Sequence, residues 1–509
     1  MGLRDFTLFD VIERNARIHA DRLAFTAEGE RITHAAYLTR ALRLAAGLAR
    51  AGIGPGDRIA IVSQNNLEFA DLYGAAACLG ALVVPINWRL SAQEVATIGA
   101  DAAPKVVIAD SANQQAVVAA RDAFGSAERW FGIGGDVAPF TAYAALLETD
   151  EAALGGAAST REIGADAAFV MIYTAAVGGR PRGAVLSHAN LIAASVELMR
   201  QWALTPDDVN LGALPLFHVA GLGMALAAQH AGGATVIVPK FDAAAALANI
   251  RDQRVTMLAE FPPMLGSLLD AAEGSDGELS SLRVVTGLDS PDTIVRFEAR
   301  CPQARFWSVF GQTETSGFVT MAPYRAKPGA AGKPAATSRV AVFDDADNPV
   351  GAGEVGEIVV RGPVVFSGYW KCDADNALTF RNGWHHTGDQ GAFDAEGYLW
   401  YKGRSPAKEL IKPGGENVYP AEVEKEISAH PAIAEVVVIG VPDVQWGEAI
   451  KAVCTRKRGQ NVTAEEVIAF VSARIARYKR PKYVAFVDAL PKTAAGAVDR
   501  AGVKKEHGY

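Results

Sequence analysis

The stretch "AAFVMIYTAAVGGRPRGAVLSHANLIAASVELMR", residues 167–200, joins an apolar run, a glycine-rich turn and a helix-like segment. The apolar run at 167–174 predicts a buried strand, and the segment 187–200 predicts a helix. The turn between them contains Gly178, Gly179, Arg180, Arg182 and Gly183. Because glycines let backbone N–H groups approach an anion closely, the stretch predicts an α/β fold with a candidate phosphate-binding loop.

The loop is not the P-loop of kinases and ATPases. Gly178 and Gly183 have the spacing of the GxxxxGK[ST] motif, but Ala184 and Val185 stand where that motif has lysine and a hydroxyl residue. On this stretch alone, a structural glycine turn between a strand and a helix is as good an interpretation as an anion site.

Length and composition limit the class of protein. A chain of 509 residues is too long for one ordinary core and predicts a large composite domain with at least one smaller domain. The formal net charge of −8 argues against a nucleic-acid surface. Cys78, Cys301, Cys372 and Cys454 lack metal-binding spacing and predict free thiols in a reducing compartment. The N-terminal residues show no apolar signal core and no run predicts a membrane span, so we expect a cytoplasmic protein.

Apolar runs alternate with alanine-rich helical segments through roughly the first four hundred residues. These runs lie at 57–63, 81–87, 105–110 and 234–239. Near-continuous apolar strands between helices indicate mostly parallel sheets that are buried on both faces. From about residue 340 the pattern alternates apolar and polar residues, which predicts a smaller antiparallel or barrel-like sheet.

A separate C-terminal α+β domain is predicted beyond the Gly-, Pro- and charge-rich segment 403–415. Pro420 suits the first position of a helix. The following patterns predict a strand at 434–443, a helix at 463–476 and another strand at 482–492.

Three further motifs favour the phosphate interpretation. The stretch "VFGQTETSG", 309–317, places a hydroxyl donor, Thr313, and a possible Mg²⁺ ligand, Glu314, in a glycine turn. The stretch "GWHHTGDQG", 383–391, supplies Asp389, which is suited to accept hydrogen bonds from a ribose diol. Arg404 comes before a lysine-rich segment. Each motif is a modest signal alone, but their order and separation would rarely arise together by chance.

With these motifs the chain resembles the adenylate-forming superfamily of acyl-CoA synthetases, nonribosomal-peptide adenylation domains and firefly luciferase. The resemblance is nearly full-length and includes 52–94 and "LPLFHVAGL" at 214–222. It implies a large ATP- and acyl-binding domain, which we place at 1–404, and a small mobile domain at 405–509 with a hinge near 404–409. It also implies ATP, Mg²⁺ and coenzyme A: a carboxylate attacks the α-phosphate of Mg-ATP, and a thiol then attacks the acyl-adenylate.

The resemblance implies a role for each matching residue. Glu314 would bind Mg²⁺, and His218 would lie beside the acyl carboxylate, with a structural histidine as the alternative. The nucleotide-binding set is Thr174, Gly178, Gly179, Arg182, Leu288, Asp289, Ser290, Gln312, Thr313, Asp389 and Arg404, and Gly414 and Gly415 would line the pantetheine tunnel. The acyl-pocket candidates are Phe217, His218, Gly223, Phe261, Gly287, Phe310, Ser316 and Gly317. The hinge residue is Lys408 if "KELIK" is the anchor, or Pro406 if spacing from Arg404 is.

The phosphate loop departs from the family pattern. The family usually reads Thr-Ser-Gly-Thr-Thr-Gly and then Pro-Lys-Gly, whereas residues 174–179 read TAAVGG and Arg182 replaces the lysine. Most of the hydroxyl groups are lost, although Thr174 and a positive charge remain. Arginine is a planar fork and not a point charge, so we expect a weakened but functional clamp.

The C-terminal signature departs more sharply. The family reads Pro-Lys-Thr, two variable residues and Gly-Lys, but "PKTAAGAVDR" at 491–500 places Ala497 where the adenylating lysine belongs. That lysine bridges the attacking carboxylate and the α-phosphate, and losing one such donor costs about 10²–10³ in rate. Because the neighbouring residues are intact, the change resembles a deliberate inactivating substitution more than drift.

The sequence therefore predicts an AMP-forming acid:CoA ligase with a crippled adenylation step and an intact thioester-forming step. Two alternatives stay open: a ligase that loads a carrier-protein thiol, disfavoured because no carrier domain is fused, and a nucleotide-binding pseudoenzyme. The small residues at 287, 316 and 317 favour an aromatic, alicyclic or medium-chain acid as the small-molecule partner. No feature encodes the oligomeric state, so a homodimer is only a guess.

Overall fold

Two large sheets and the helices around them form the body of the protein. The computed structural model describes residues 2–135, 137–148, 163–174, 180–274, 277–404, 410–492 and 498–508. The first sheet has the strand order Lys333–Pro334, Gly317–Pro323, Arg305–Gln312, Val284–Gly287, Met257–Glu260, Val209–Gly212, Ala234–Ile237, Leu23–Ala27 and Glu30–Thr33. The second has the order Gly368–Tyr369, Arg182–Ser187, Ala168–Thr174, Leu82–Ile86, Arg58–Val62, Val106–Asp110, Arg129–Ile133 and Thr141–Ala142.

The interior of both sheets is parallel, as the apolar runs predict. Leu82–Ile86 and Val106–Asp110 are buried at every residue and pair in parallel with Arg58–Val62. Antiparallel pairing is confined to strands near the sheet edges, such as Gly317–Pro323 against Arg305–Gln312. The α/β fold with mostly parallel sheets is therefore confirmed.

Helices pack on both faces of these sheets. Those outside the C-terminal region are Leu8–Ile18, His34–Arg50, Leu67–Leu79, Ala92–Ala102, Gln114–Ala119, His188–Trp202, Val219–Ala231, Ala243–Gln253, Met264–Ala271, Pro291–Arg300 and Asp373–Thr379. The helix Leu67–Leu79 starts where the Asn66 side chain accepts the Phe69 N–H at 2.8 Å and ends at Gly80, whose φ is 68°. Its side chains are buried almost all round, because it lies in the core between the sheets.

The stretch 167–200 contains one element that the sequence did not reveal. After the strand Ala168–Thr174, the chain returns antiparallel as Arg182–Ser187, with Thr174 opposite Arg182, before the helix His188–Trp202 begins. Ser187 caps that helix by accepting the Asn190 N–H at 3.2 Å. The simple strand–loop–helix expectation was therefore incomplete, because the short apolar run 184–186 is masked by the glycines before it and the helix after it.

The antiparallel sheet expected after residue 340 has the strand order Arg339–Phe343, Gly356–Arg361, His385–Phe393 and Leu399–Arg404. Its last two strands place Asp389 directly opposite Arg404. Two residues that are 15 positions apart in sequence are therefore neighbours on one hairpin.

The C-terminal region has its own sheet and its own apolar cores. Its strands are Ile433–Asp443, Gly447–Arg456 and Tyr483–Phe486, and its helices are Pro420–Ser428, Ala464–Ser472 and Arg500–His507. Its apolar clusters draw only on residues from 411 onward. The large and small domains expected from the sequence are confirmed.

The four cysteines are free, as expected. No helix in the part of the chain that the structure describes has the length and apolarity needed to cross a bilayer.

Candidate active site

One end of the site is organised around Glu314. This residue lies in the 3₁₀ turn Thr313–Thr315, directly after the strand Arg305–Gln312. Its Oε1 accepts hydrogen bonds from the Thr174 hydroxyl at 3.1 Å and the Tyr369 hydroxyl at 2.8 Å. Burial, and then the Glu314 charge, raises the pKa of Tyr369, so this phenol remains a donor. The arrangement fixes a carboxylate beside Thr174, the last described residue before the glycine-rich loop.

Arg182 packs over the aromatic ring of Tyr369. Its guanidinium is 4.0 Å from the Tyr369 ring centroid and 3.2 Å from the Asp375 carboxylate. Its Nε is buried and has no hydrogen-bond partner among the described residues. An unsatisfied buried N–H is costly, and an anionic oxygen would satisfy it. This donor fits the phosphate that the sequence assigned to Arg182.

The next group surrounds Asp389. Arg404 Nε lies 2.8 Å from Asp389 Oδ1, and the two side chains are 15% and 3% exposed. The Tyr401 hydroxyl donates to the same oxygen at 3.3 Å. Gln312 donates to Asp389 Oδ2 and to the Thr387 carbonyl. Asp389 is thus a preorganised carboxylate with a neutralising partner.

Tyr419 joins these two groups and comes from the small domain. Arg404 Nη1 donates to the Tyr419 hydroxyl at 3.0 Å. Both Glu314 and Arg182 act electrostatically on the same phenol, whose pKa is raised chiefly by burial. The sequence analysis missed Tyr419 and Tyr369, since a single aromatic residue has no periodic signal.

A second end of the site lies around His218. This residue caps the helix Val219–Ala231, and its Nδ1 accepts the Ala220 N–H at 3.1 Å. Its ring meets Phe261 edge-on, with centroids 6.2 Å apart. Burial, followed by the charges of Lys412 and Arg89, lowers the pKa of His218 to about 4. The imidazole is therefore neutral near pH 7.

The glycine pair of the small domain lies against this second end. A Cβ on Gly415 would come within 2.5 Å of the Phe261 ring, and one on Gly414 would come within 2.8 Å of Trp446. Both glycines have positive φ, 57° at Gly414 and 83° at Gly415. Only glycine fits this approach without strain.

A cavity of about 940 Å³ opens between the domains here. Its lining includes Phe217, His218, Phe261, Gly414, Gly415 and Trp446, together with the exposed basic residues Lys240, Arg477, Arg480 and Lys482. The combination of an apolar interior and basic side chains is suited to a ligand with an uncharged arm and a phosphorylated head.

Lys412 connects the two ends and was not singled out in the sequence. Its charge acts on His218, while the charges of Asp389 and Arg404 act on it. Burial is the main cause that lowers the pKa of Lys412. The "lysine-rich" character of the segment after Arg404 was the available signal, but it did not distinguish Lys412 from Lys408.

Ion pairs hold the small domain in this position. Arg89 lies 3.2 Å from Glu416, and Lys479 pairs with Glu94 of the large domain and with Glu422 of its own domain. Glu94 also accepts the Ala476 N–H at 3.0 Å. The docked arrangement is thus built from specific partners on both domains.

Several predicted residues have contacts of a different kind. The Ser290 hydroxyl accepts the Thr293 N–H at 3.2 Å and caps a helix, and the Ser316 hydroxyl donates to the Val364 carbonyl at 2.8 Å. Leu288 is 44% exposed. A Cβ at Gly223 or Gly317 would meet nothing within 4 Å, so both border open space.

The remaining pocket candidates are packed. Phe310 lies 5.9 Å from the Tyr401 ring, which places it beside the Asp389 group. A Cβ on Gly287 would collide with the Glu260 carbonyl oxygen at 2.0 Å. Gly178, Gly179, Pro406, Lys408 and Ala497 lie outside the described residues.

Comparison with known proteins agrees with this geometry. The AMP-binding enzyme family model matches residues 12–370, and the model of the AMP-binding enzyme C-terminal domain matches 422–497. The chain is 35% identical over 508 residues to indoleacetate–CoA ligase of Aromatoleum aromaticum, covering 98% of each chain. It is 34% identical over 505 residues to a feruloyl-CoA synthase of Amycolatopsis, covering 97% of this chain and 98% of the relative.

A solved structure gives the same result over the full length. The double mutant of o-succinylbenzoate CoA synthetase from Bacillus subtilis, bound to a product analogue, has a TM-score of 0.85 at 27% identity and covers 98% of each chain. The chain therefore belongs to the AMP-binding enzyme family, within the adenylate-forming acyl-CoA synthetase superfamily.

Proposed function

We propose that this protein is an AMP-forming acid:CoA ligase that uses ATP, Mg²⁺ and coenzyme A. The observation that carries the proposal is two groups of contacts, Thr174 with Glu314 and Tyr419 with the Asp389–Arg404 pair, that act electrostatically on each other and, through Lys412, on His218. A nucleotide-binding end and a thiol-accessible end thus share one cleft. Relatives that are named as CoA ligases support the same assignment.

At the nucleotide end, Asp389 would accept hydrogen bonds from the ribose hydroxyls while Arg404 holds the carboxylate in place. The Arg182 guanidinium and the backbone around the glycines would contact the phosphates. Glu314, with Thr174 beside it, offers the carboxylate and hydroxyl oxygens that Mg²⁺ prefers, and the bound ion would neutralise phosphate charge.

At the other end, the docked small domain supports the thioester-forming step. Gly414 and Gly415 would line a tunnel through which the pantetheine thiol reaches the acyl-adenylate. Lys240, Arg477, Arg480 and Lys482, which are exposed and line the same cavity, favour a free, phosphorylated coenzyme over a protein thiol. Neutral His218 would lie beside the carbonyl without adding charge.

The adenylation step is proposed to be impaired. With Ala497 in place of lysine, no cation enters between the carboxylate and the α-phosphate when the small domain rotates. We propose the rotation hinge near 404–409 and the domain boundary between residues 404 and 405.

For the acid, we propose an aromatic, alicyclic or medium-chain substrate. Phe217, Phe261 and Phe310 supply apolar walls, and the open space at Gly223 and Gly317 leaves room for a ring. Indoleacetate and ferulate, the acids in the relatives' names, are of this kind.

The test of the function starts from synthetic acyl-adenylates, so that the impaired step is bypassed. Adenylates of indoleacetate, ferulate, octanoate and malonate are mixed with coenzyme A, and thioester formation is followed by chromatography. We expect thioesters from the first three and little from malonate. No thioester from any adenylate, with AMP binding intact, would contradict the ligase assignment.

Replacement of Gly415 by alanine is expected to block the thioester step selectively. The added Cβ would overlap Phe261, and alanine is strained at φ 83°. A displacement of about 1 Å at a reacting centre can cost about 10²-fold in rate. Thioester formation from a pre-formed adenylate should fall by about that factor.

Gly459→Ala is the matched control, since Gly459 has φ 76° and open space around it on the same domain. It shares the backbone strain but not the overlap. If both variants lose thioester formation equally, strain and not the close approach is responsible.

A further inference from the structure

A pair of carboxyl groups lies beneath the segment 287–290. Glu260 ends the strand Met257–Glu260 and is the parallel neighbour of Gly287, the last residue of the next strand. It is fully buried, and its Oε1 lies 2.9 Å from where a Cβ on Gly287 would be. Asp289 follows two residues later, and the two carboxyl groups act on each other electrostatically.

Few hydrogen-bond donors among the described residues reach these two carboxyl groups. Asp289 Oδ1 accepts the Ser290 N–H at 2.6 Å. Asp289 Oδ2 and both Glu260 oxygens are buried, and none has an N–H or O–H donor at good geometry among the described residues. Two ionised carboxylates buried this closely would repel each other, whereas a proton kept on one of them lets that carboxyl group donate to the other.

The surroundings favour Glu260 as the holder of the proton. Burial, and then the Asp289 charge, raises the pKa of Glu260 well above its ordinary value, and burial also raises the pKa of Asp289. The ionisable group that influences the pKa of Glu260 is Asp289, and the one that influences the pKa of Asp289 is Glu260. The other nearby groups are the Leu265 and Ser290 amides and the Thr293 hydroxyl.

We propose that Glu260 and Asp289 share one proton and that Glu260, acting through Asp289, positions the segment 287–290 for the adenine of the nucleotide. This inference rests on the proposed function, which places adenine along that segment. Glu260 is a positioning residue, because it is fully buried and does not itself face the cleft.

Loss of the shared proton would put two negative charges at the ends of adjacent strands. Glu260 lies in the interior and cannot move to water, whereas Asp289 and its exposed neighbours Leu288 and Ser290 can. The segment would then shift away from its nucleotide-binding position. Nucleotide affinity is therefore expected to fall as the pH rises through the pair's apparent pKa.

The experiment uses the full-length protein, AMP as the probe and the variants Glu260→Gln and Asp289→Asn. Glutamine keeps a donor toward Asp289 but carries no titratable proton. Calorimetry from about pH 6 to about pH 10 should show wild-type affinity falling about tenfold per pH unit above the transition and Glu260→Gln affinity staying nearly constant. A wild-type profile that is flat, or one that Glu260→Gln shares, overturns the proposal.

Infrared difference spectra provide a readout that does not depend on nucleotide. The wild type at neutral pH should show the carbonyl band of a protonated, buried carboxylic acid, and Glu260→Gln should lack it. Absence of the band in the wild type overturns the shared proton. If the band is present but AMP binds at no pH, the adenine role and the proposed function fail together while the carboxyl pair stands.

Discussion

Replacing Ala497 by lysine is expected to raise the rate of ATP–pyrophosphate exchange by about 10²–10³. The reason is electrostatic: negative charge builds on both the attacking carboxylate and the α-phosphate, and a preorganised cation between them lowers the barrier. Among the described residues, the neighbouring Lys492 is already engaged in another ion pair. Lys492, at the start of the same segment, pairs with Glu435 within the small domain. The measurement is exchange of labelled pyrophosphate into ATP with the best acid from the adenylate panel.

Methionine at position 497 is the matched control, because it has a similar length but no charge. Ala497→Met should leave exchange unchanged, and neither variant should alter thioester formation from a synthetic adenylate. Equal gains from lysine and methionine would show that side-chain bulk, and not charge, was missing. ATP binding without exchange in Ala497→Lys would instead favour the nucleotide-binding pseudoenzyme.

The sequence predicted the parts of the fold that have a periodic signal. The runs at 57–63, 81–87 and 105–110 form parallel strands. A continuous apolar strand has to bury the side chains on both of its faces, and a sheet between two layers of helices allows this. The strand Arg182–Ser187 was missed because glycine and proline before it signal a loop and the helix cap at Ser187 follows at once.

The site was predictable where residue type alone defines the chemistry. Glu314, Asp389 and Arg404 were identified from their motifs, and in the structure Arg404 pairs with Asp389 and is acted on by the charge of Glu314. Tyr419 and Lys412 depend on how the small domain docks, which is set by distant ion pairs such as Arg89–Glu416. Glu260 required the register between two parallel strands, since only that register places it under Asp289.

The docked arrangement also bears on the proposed impairment of the adenylation step. Among the described residues, the small domain contacts the large one through Glu416, Tyr419, Ala476 and Lys479. We therefore expect a substitution at residue 497 to leave these contacts in place. Substitutions at residue 497 should change the adenylation rate, whereas substitutions at the inter-domain contacts should change the stability of the docked arrangement.

Glu314→Gln, introduced together with Ala497→Lys, is expected to lower pyrophosphate exchange by about 10²–10³ relative to Ala497→Lys alone. The side chain would lose the negative charge that we propose for holding Mg²⁺ against the phosphates. The amide oxygen can still accept from Thr174 and Tyr369, so the fold is retained and the thermal unfolding temperature should change little. Exchange should be measured across a Mg²⁺ titration, where the variant should need a higher concentration for half-maximal rate.

Tyr369→Phe separates charge from hydrogen bonding at the same carboxylate. It removes the 2.8 Å donor to Glu314 but keeps the ring under Arg182, so the expected loss is only about tenfold, the usual value of a hydrogen bond to a charged group. The Mg²⁺ requirement should stay close to that of the parent, because the carboxylate charge is retained. If Glu314→Gln causes no greater loss than Tyr369→Phe and leaves the Mg²⁺ titration unchanged, Glu314 is a structural acceptor at the strand end, and the metal has to be held by other oxygens of the cleft.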